Sequence, residues 1–259
     1  MSDAAHDALI RDQFTRQAVP FSTAAPIADA AALKMLVEAA EAGPDDTVLD
    51  VACGGGIVVC AFAPHVRHAT GIDMTPAMLE RARRHAAETG VANVAWREGN
   101  VTRLPFPDSA FTIVVTRFAM HHFPEPRAVF AEMRRVCAPG GRIVVADTYA
   151  SPDPAKAAAF NRLELLRDPS HRRCLALAEL QGLFRESGLG EAAASFYELR
   201  DSVDNLLARS FPNPGDDKKI VDLFAASLDD QRLGIPVSRD RDGRLCYAYP
   251  AAILAAKKP

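Results

Sequence analysis

The chain has 259 residues, of which 49% are hydrophobic, and this is enough to build the core of one large α/β domain. Its formal net charge of −3 excludes a long-range attraction to nucleic acid or to an anionic membrane, so we expect a small-molecule partner. The five cysteines lack metal or disulfide spacing and no apolar run could span a bilayer, so we expect a cytoplasmic protein with no membrane span.

Two helices are predicted before the first strand. The segment 4–18 carries apolar residues at helical spacing and is followed by a helix-breaking segment around Pro20. This amphipathic helix either packs on the domain or closes over a ligand, and both alternatives stay open at this point. A second, alanine-rich helix is predicted over 28–42 and ends at Gly43 and Pro44.

The stretch 47–56 predicts a buried strand that ends in a glycine-rich turn. Residues 47–51 are β-branched and apolar apart from Asp50, which is typical of a strand covered on both faces. Gly54 and Gly56 allow the backbone to turn sharply and to approach a ligand. A helix is predicted over 57–63, and its first N–H groups would point toward the same place. We therefore expect a ligand site at this turn.

The spacing of the glycines favours a cationic nucleoside over a dinucleotide. A dinucleotide fingerprint requires a third glycine, and Val59 stands in its place. Asp50 adds a carboxylate that repels a pyrophosphate and attracts a cationic or hydroxyl-bearing ligand. Asp73 ends the next predicted strand, 69–73, and an acid at that place can hold two ribose hydroxyls. A nicotinamide oxidoreductase is therefore the disfavoured alternative.

The remaining chain alternates predicted strands and helices, which is the pattern of a doubly wound parallel sheet. Strands are predicted over 94–97, 111–116, 142–147, 195–199 and 245–256, and helices over 76–89, 126–137, 151–167, 175–186, 202–211 and 218–233. We interpret the charged run 239–244 as a solvated loop. Binding crevices lie at the carboxyl ends of parallel strands, so Gly54, Asp73, Asn100 and Arg117 should meet in one cleft.

Three motifs in this order resemble those of the class I S-adenosylmethionine-dependent methyltransferases. They are the segments 48–56, 71–74 and 104–111, and the segments 120–123 and 138–141 continue the resemblance to about Asp147. The chain is most similar to methyltransferases of ubiquinone and menaquinone biosynthesis and their small-molecule relatives. Two positions depart from the usual pattern: Ala52 stands where glycine is usual, and Asn100 replaces an aspartate that accepts from the adenine amino group.

The resemblance implies a Rossmann-like α/β fold with a doubly wound, mostly parallel seven-stranded sheet. It divides the chain into an N-terminal helical lid (1–43), a cofactor-binding core (44–200), a C-terminal helical insertion (201–245) and the last core strand (246–259). The implied cofactor is S-adenosyl-L-methionine, with S-adenosyl-L-homocysteine as its product. The implied cofactor-binding residues are Asp50, Ala52, Gly54, Gly56, Asp73, Met74, Met78, Asn100, Val101 and Arg117. Core packing is the alternative role for the two methionines, and a local salt bridge is the alternative for Arg117.

Candidate residues for the transfer itself follow the fourth predicted strand. His121 and His122 stand near the expected place of the methyl group and are candidate catalytic bases, with a packing role as the alternative. Adjacent histidines cannot chelate like an i, i+4 pair, so we expect no metal. We expect Phe14 and Phe21 to form walls of the acceptor site. His171 is a candidate acceptor contact, with a polar surface loop as its alternative.

These patterns lead to the hypothesis of S-adenosylmethionine-dependent methyl transfer to oxygen or carbon of a small, aromatic or quinone-like metabolite. The alternative is an S-adenosylmethionine-binding protein with another reaction type or a non-catalytic role. The sequence leaves the acceptor and the oligomeric state open, and a homodimer is one of the alternatives.

Overall fold

A single mixed sheet organises the computed structural model, which describes residues 3–259. Within this range the sheet has eight strands: β1 (Thr47–Val51), β2 (His68–Asp73), β3 (Val94–Glu98), β4 (Phe111–Arg117), β5 (Cys137–Thr148), β6 (Ala193–Ser202), β7 (Val237–Arg239) and β8 (Leu245–Lys257). Their order is β3-β2-β1-β4-β5-β8-β6, and β7 pairs with β8 beside this series. The five strands from β3 to β5 are parallel, whereas β8 is antiparallel to both β5 and β6. The predicted seven-stranded, mostly parallel sheet is confirmed, and β7 is an additional short strand.

Helices cover both faces of this sheet. Over the described residues they are α1 (Asp3–Ser22), α2 (Ala30–Ala39), α3 (Ile57–Phe62), α4 (Pro76–Thr89), α5 (Pro126–Val136), α6 (Pro154–Arg167), α7 (Leu177–Glu186), α8 (Val203–Ala208) and α9 (Asp216–Asp230). Along β1, Leu49 and Val51 share a core cluster with α5 and α7, whereas Val48 shares one with α2 and α3. Because both faces are covered, the central strands are apolar almost throughout.

The N-terminal helix is longer than the sequence predicted. It continues through Pro20 to Ser22 instead of ending at Ala18. A proline near the end of a helix removes one backbone hydrogen bond, and here the turn continues because the Ser22 hydroxyl donates to the Ala18 carbonyl and the Thr23 amide donates to the Val19 carbonyl. Residues 1 and 2 of the predicted lid lie outside the described residues, and the predicted domain boundaries stay predictions.

The C-terminal part builds a helical cluster beyond the ends of the parallel strands. β8 pairs with β5 only up to Ala251, which lies opposite Thr148, and its first residues pair with β6 and β7 instead. Helices α6, α8 and α9 pack against this free part of β8 in a separate core cluster that includes Phe160 and Phe224. This cluster forms one side of the cleft described below. No helix among the described residues is long and apolar enough to cross a membrane.

Candidate active site

Two neighbouring cavities in the described part of the chain lie at the carboxyl ends of the parallel strands. Together with the solvent at its mouth, the first cavity spans about 850 Å³ and the second cavity about 660 Å³. They share five wall residues, Phe14, Phe21, Ile27, Phe118 and His122. A molecule in one cavity would therefore lie next to a molecule in the other.

The first cavity contains most of the residues expected to bind the cofactor. Its walls include Asp50, Ala52, Gly54, Asp73, Met74, Met78, Val101 and Arg117. Gly56 and Asn100 are not among its lining residues, so the expected placement of these two residues is corrected. A Cβ at Gly56 would lie 2.5 Å from the Trp96 ring, so Gly56 allows close packing of the turn.

Asn100 faces the N-terminal helix and its own loop instead of the first cavity. Its side chain is exposed, and its Oδ1 accepts hydrogen bonds from the amide and the hydroxyl of Thr102. Its Nδ2 donates to Oδ2 of Asp7 on α1 at 3.1 Å. Asn100 therefore joins the strand-end loop to the helix that covers the cleft.

Backbone amides fix the carboxylate of Asp73. The Gly54 amide donates to Oδ2 at 2.9 Å, and the Thr75 amide donates to Oδ1 at 2.8 Å. Burial raises the pKa of Asp73, while these backbone hydrogen bonds act in the opposite direction. Each carboxylate oxygen keeps lone-pair capacity for a ligand hydroxyl at the cavity wall.

Asp50 is a buried acid without a hydrogen-bond partner. Its side chain is 1% exposed, and neither carboxylate oxygen has a partner within residues 3–259. Burial raises its pKa well above the ordinary value, the charge of Asp73 raises it further, and Arg117 partly offsets both. A buried acceptor of this kind is costly unless a cation or a donor pairs with it. The first cavity is therefore suited to a positively charged ligand.

Two residues of the first cavity have a positive φ, a backbone conformation that residues other than glycine rarely adopt. Ala52 has a φ of 60°, and Phe118 has a φ of 55°. The Phe118 ring lies 4.4 Å from the guanidinium of Arg117, whose Nη1 donates to the Ile27 carbonyl and whose Nη2 has no partner in the described part of the chain. Backbone strain of this kind is common at ligand sites. Phe118 was missed as a site residue, although its position directly after β4 was a usable signal.

His121 and Asp147 form a hydrogen-bonded pair at the second cavity. Nδ1 of His121 lies 2.7 Å from Oδ1 of Asp147, the penultimate residue of β5. Because an ionised carboxylate only accepts hydrogen bonds, Nδ1 carries the proton and Nε2 keeps its lone pair. Burial lowers the pKa of His121, but the charge and hydrogen bond of Asp147 outweigh this and raise it. Asp147 was missed as a site residue, although its place at a strand end could have pointed to it.

His122 lies at the junction of the two cavities. Its Nδ1 lies 3.1 Å from the Ser170 carbonyl, which requires that this nitrogen donate. Burial lowers the pKa of His122 to about 4, and the neighbouring His121 adds to this shift. His122 is therefore neutral at physiological pH and is a weaker base than His121.

His171 lines neither cavity. It is buried behind His121, with a distance of 5.6 Å between the ring centroids, and its Nε2 lies 2.9 Å from Oδ1 of Asn161. Burial lowers the pKa of His171 to about 3, and His121 contributes to the shift. The expected exposed loop is thus a packed one, and the expected acceptor contact of His171 is not found in this structure.

Helix α1 contributes Phe14 and Phe21 to the walls of both cavities, and their role toward an acceptor stays a prediction. The buried Gln17 donates from Nε2 to Oδ2 of Asp168 at 3.0 Å, and Nε2 of His6 donates to the His122 carbonyl at 2.9 Å. These hydrogen bonds attach the helix to the residues that surround the second cavity.

Comparison with known proteins identifies the family. Residues 49–145 match the family model described as a methyltransferase domain. The chain is 32% identical over 231 residues to the uncharacterized methyltransferase YcgJ of Bacillus subtilis, covering 89% of this chain and 91% of that protein. The crystal structure of YcgJ superposes with a TM-score of 0.79 at 31% identity, covering 88% of this chain and 98% of that one.

Two further proteins share part of the chain or its fold. A demethylmenaquinone methyltransferase of Listeria monocytogenes is 35% identical over 117 residues, which is 44% of this chain and 49% of that protein. A geranyl diphosphate C-methyltransferase of Streptomyces coelicolor, solved with S-adenosyl-L-homocysteine, has a TM-score of 0.61 at 19% identity and shares the fold. It covers 88% of this chain and 78% of that one.

The first cavity agrees with this family. The unpartnered carboxylate of Asp50 and the amide-held carboxylate of Asp73 fit a ligand that carries both positive charge and ribose hydroxyls. The protein is therefore an enzyme with S-adenosylmethionine as its cofactor, which sets aside the nicotinamide and non-catalytic alternatives. The chain belongs to the class I S-adenosylmethionine-dependent methyltransferases.

Proposed function

We propose that the enzyme transfers a methyl group to oxygen or carbon of a small, aromatic or quinone-like molecule bound in the second cavity. The observation that carries this proposal is that His121, which lines the second cavity beside the cofactor cavity, is hydrogen-bonded through Nδ1 to the buried Asp147. The partial similarity to the demethylmenaquinone methyltransferase supports a ring-containing acceptor.

The first cavity would hold the cofactor through residues of both signs of charge. Asp73 would accept hydrogen bonds from the ribose hydroxyls, and Met74, Met78 and Val101 would contact the adenine ring. Asp50 would pair with the ammonium group, and the free Nη2 of Arg117 would bind the carboxylate of the same amino-acid end. When bound, S-adenosylmethionine supplies a methyl group on a positively charged sulfur.

His121 removes the proton that the acceptor loses. The acceptor hydroxyl gives its proton to Nε2 of His121, its oxygen bonds to the methyl carbon, and the carbon–sulfur bond breaks with its electron pair left on sulfur. For a carbon acceptor the proton leaves the reacting carbon and charge balance is the same. Asp147 stabilises the imidazolium that forms, because its carboxylate already accepts from Nδ1. His122, with its low pKa, would shape the junction between the cavities.

The walls of the second cavity support an aromatic acceptor. Phe14, Phe21 and Phe118 contribute faces and edges of aromatic rings, and Tyr247 and Tyr249 complete the aromatic lining. Holding two reactants in line supplies a large part of the rate in such a displacement, with effective molarities on the order of 10⁵ M or more. A cavity lined by aromatic rings next to the cofactor is well suited to this positioning.

Transfer from methyl-labelled S-adenosylmethionine to a panel of phenols, hydroxyquinones and carbon acids tests the proposal. We expect label in at least one phenol or quinone product, and loss of that product in His121→Gln with S-adenosyl-L-homocysteine binding retained. Absence of transfer to every ring-containing acceptor, with transfer to an aliphatic amine or to a protein instead, would contradict it.

A further inference from the structure

The second cavity has a wall of hydrogen-bond donors that the proposed transfer does not use. We define this donor wall as Arg167, Arg209 and Tyr247, all of which line the cavity. They lie on α6, on the turn after α8 and on β8, in the C-terminal cluster. This wall is separate from His121, which lies in the turn after β4.

The Tyr247 hydroxyl accepts a hydrogen bond from the protein and can donate its own proton to a molecule in the cavity. Nη2 of Arg209 donates to the Tyr247 hydroxyl oxygen at 2.8 Å, and Nη1 of Arg209 forms an ion pair with Asp201. The structure records no acceptor for the Tyr247 hydroxyl proton among residues 3–259. Because a phenol offers one proton and its oxygen already accepts from Arg209, this hydroxyl can donate to a bound molecule.

The acceptors around Tyr247 are already occupied. Glu164 accepts from Nε and Nη2 of Arg167 and from the Tyr249 hydroxyl, the last at 2.7 Å. Nη1 of Arg167 has no recorded partner in the described chain. The neighbouring Asp168 is likewise occupied by Gln17 and by Ser170. The wall therefore offers donors but few acceptors, and a molecule that fits it must supply an acceptor oxygen.

The charges of the wall favour an uncharged oxygen over a carboxylate. Arg167 is balanced by Glu164, and Arg209 is balanced by Asp201, each through a direct ion pair. An anion would need a positive charge that is not already paired. Burial raises the pKa of Tyr247, so its hydroxyl keeps its proton at physiological pH. A carbonyl oxygen matches these properties.

Tyr247 and His121 belong to different parts of the cavity wall. Tyr247 lies on the part of β8 that extends beyond its pairing with β5, whereas His121 follows β4 and contacts Asp147 on β5. An acceptor that contacts both residues must therefore carry an oxygen apart from the methylated atom.

We propose that Tyr247, positioned by Arg209, binds a carbonyl oxygen of the methyl acceptor and selects acceptors that carry this second oxygen away from the methylated atom. This inference rests on the proposed function and adds a specificity residue to it. The donor wall binds the carbonyl oxygen of the acceptor, and His121 accepts the proton from the group that is methylated.

Two matched probes test the inference. Meta-hydroxyacetophenone carries a phenol and a carbonyl, whereas meta-ethylphenol has a similar shape without the carbonyl. Binding of each probe is measured by calorimetry on the S-adenosyl-L-homocysteine complex, and methylation is measured with labelled cofactor. We expect the wild type to prefer the acetophenone by about tenfold in kcat/KM and in Kd, the effect of one net hydrogen bond. Tyr247→Phe should abolish that preference, because the variant keeps the ring and lacks the hydroxyl proton.

The outcomes separate the inference from the proposed function. Tyr149→Phe is the control, because Tyr149 lines neither cavity, and it should keep the wild-type preference. Methylation of both phenols with equal efficiency by the wild type, or an unchanged preference in Tyr247→Phe, would overturn the inference and leave the proposed function intact. Failure of the wild type to bind or methylate either phenol would count against both.

Discussion

Asp147 Oδ1 lies 2.7 Å from Nδ1 of His121, across the ends of two neighbouring strands. The contact determines which ring nitrogen carries the proton and directs the basic nitrogen away from the sheet. The same carboxylate oxygen also accepts from the Thr148 amide at 2.7 Å, which limits its movement. The pair is therefore a buried contact held in one geometry, which suits the base that we propose.

Replacing Asp147 by asparagine should slow methyl transfer with little change in cofactor affinity. The variant keeps the size of the side chain but loses the charge that stabilises protonated His121. We expect kcat to fall by about 10²–10⁴-fold, the usual contribution of a general base. Steady-state kinetics and calorimetry with S-adenosyl-L-homocysteine separate the two effects. An equal loss in cofactor binding would indicate a structural role instead.

The pH dependence of the rate should report the same pair. His121 acts as a base only when neutral, and Asp147 raises its pKa, so the rate should fall as the pH drops through this raised pKa. In Asp147→Asn burial still lowers the pKa of His121, but the charge that raises it is gone. The fall of the rate at acidic pH, the acidic limb of the profile, should therefore move to lower pH. His122→Asn, measured in parallel, should leave the limb near its wild-type position. A limb that stays in place in Asp147→Asn would argue against His121 as the titrating group.

Replacing Asp50 by asparagine should weaken cofactor binding while stabilising the free protein. The carboxylate is buried without a partner, so removing its charge should raise Tm by about 2–4 °C at neutral pH, the shift expected for about 1 kcal/mol in a chain of this size. Wild-type affinity for S-adenosylmethionine should fall as the pH drops through the raised pKa of Asp50, because protonation removes the charge. The variant should bind weakly with no such dependence. Thermal unfolding and calorimetric titration over pH provide both readouts.

Replacing Ala52 by glycine should stabilise the protein. Ala52 has a φ of 60°, a conformation that costs a residue with a Cβ atom roughly 1 kcal/mol relative to glycine. We expect a rise of about that size in the free energy of unfolding. Ala61→Gly on helix α3 is the matched control and should lower it by about 0.5–1 kcal/mol. Urea denaturation of the three proteins tests this, and equal effects of the two substitutions would contradict it.

Exchanging the asparagine and the aspartate between positions 100 and 7 should test whether their hydrogen bond holds helix α1 against the loop after β3. Asn100→Asp places a second carboxylate beside Asp7, so we expect faster hydrogen exchange in helix α1. Asp7→Asn combined with Asn100→Asp restores a donor and an acceptor and should restore wild-type exchange. The coupling free energy should be about 0.2–1 kcal/mol, as for other exposed pairs. Additive effects of the two single changes would show that the contact does not hold the helix.

Local signals account for the elements that the sequence predicted well. Helix α4 begins at Pro76 and ends before Gly90, and both boundaries agree because a proline at the first position and a left-handed glycine act within one turn. β7 was missed because three residues become a strand only through pairing with β8. Helix α1 was ended too early because the side-chain hydrogen bond of Ser22 and the Thr23 amide satisfy the last turn despite Pro20, and a proline in the sequence does not reveal this.

At the site too, residues at strand ends could be predicted from the sequence, whereas contacts between residues far apart in the chain could not. Asp50 and Asp73 were placed at the first cavity because strand ends in a parallel sheet converge. Gly56 and Asn100 were placed there too, but the Gly56 backbone packs against the Trp96 ring and the Asn100 side chain bonds Asp7 and Thr102, which are contacts that position in the chain does not reveal. The contact of His121 with Asp147 joins residues 26 positions apart and depends on how β4 and β5 align. Only the three-dimensional arrangement could reveal it.

Phe14 and Phe21, both on helix α1, belong to the walls of both cavities. In the proposed function, an outward movement of this helix would expose both cavities, release both products and admit fresh cofactor and fresh acceptor. Slow opening of this one helix would limit turnover for every acceptor equally, whatever the chemistry of the methylated atom.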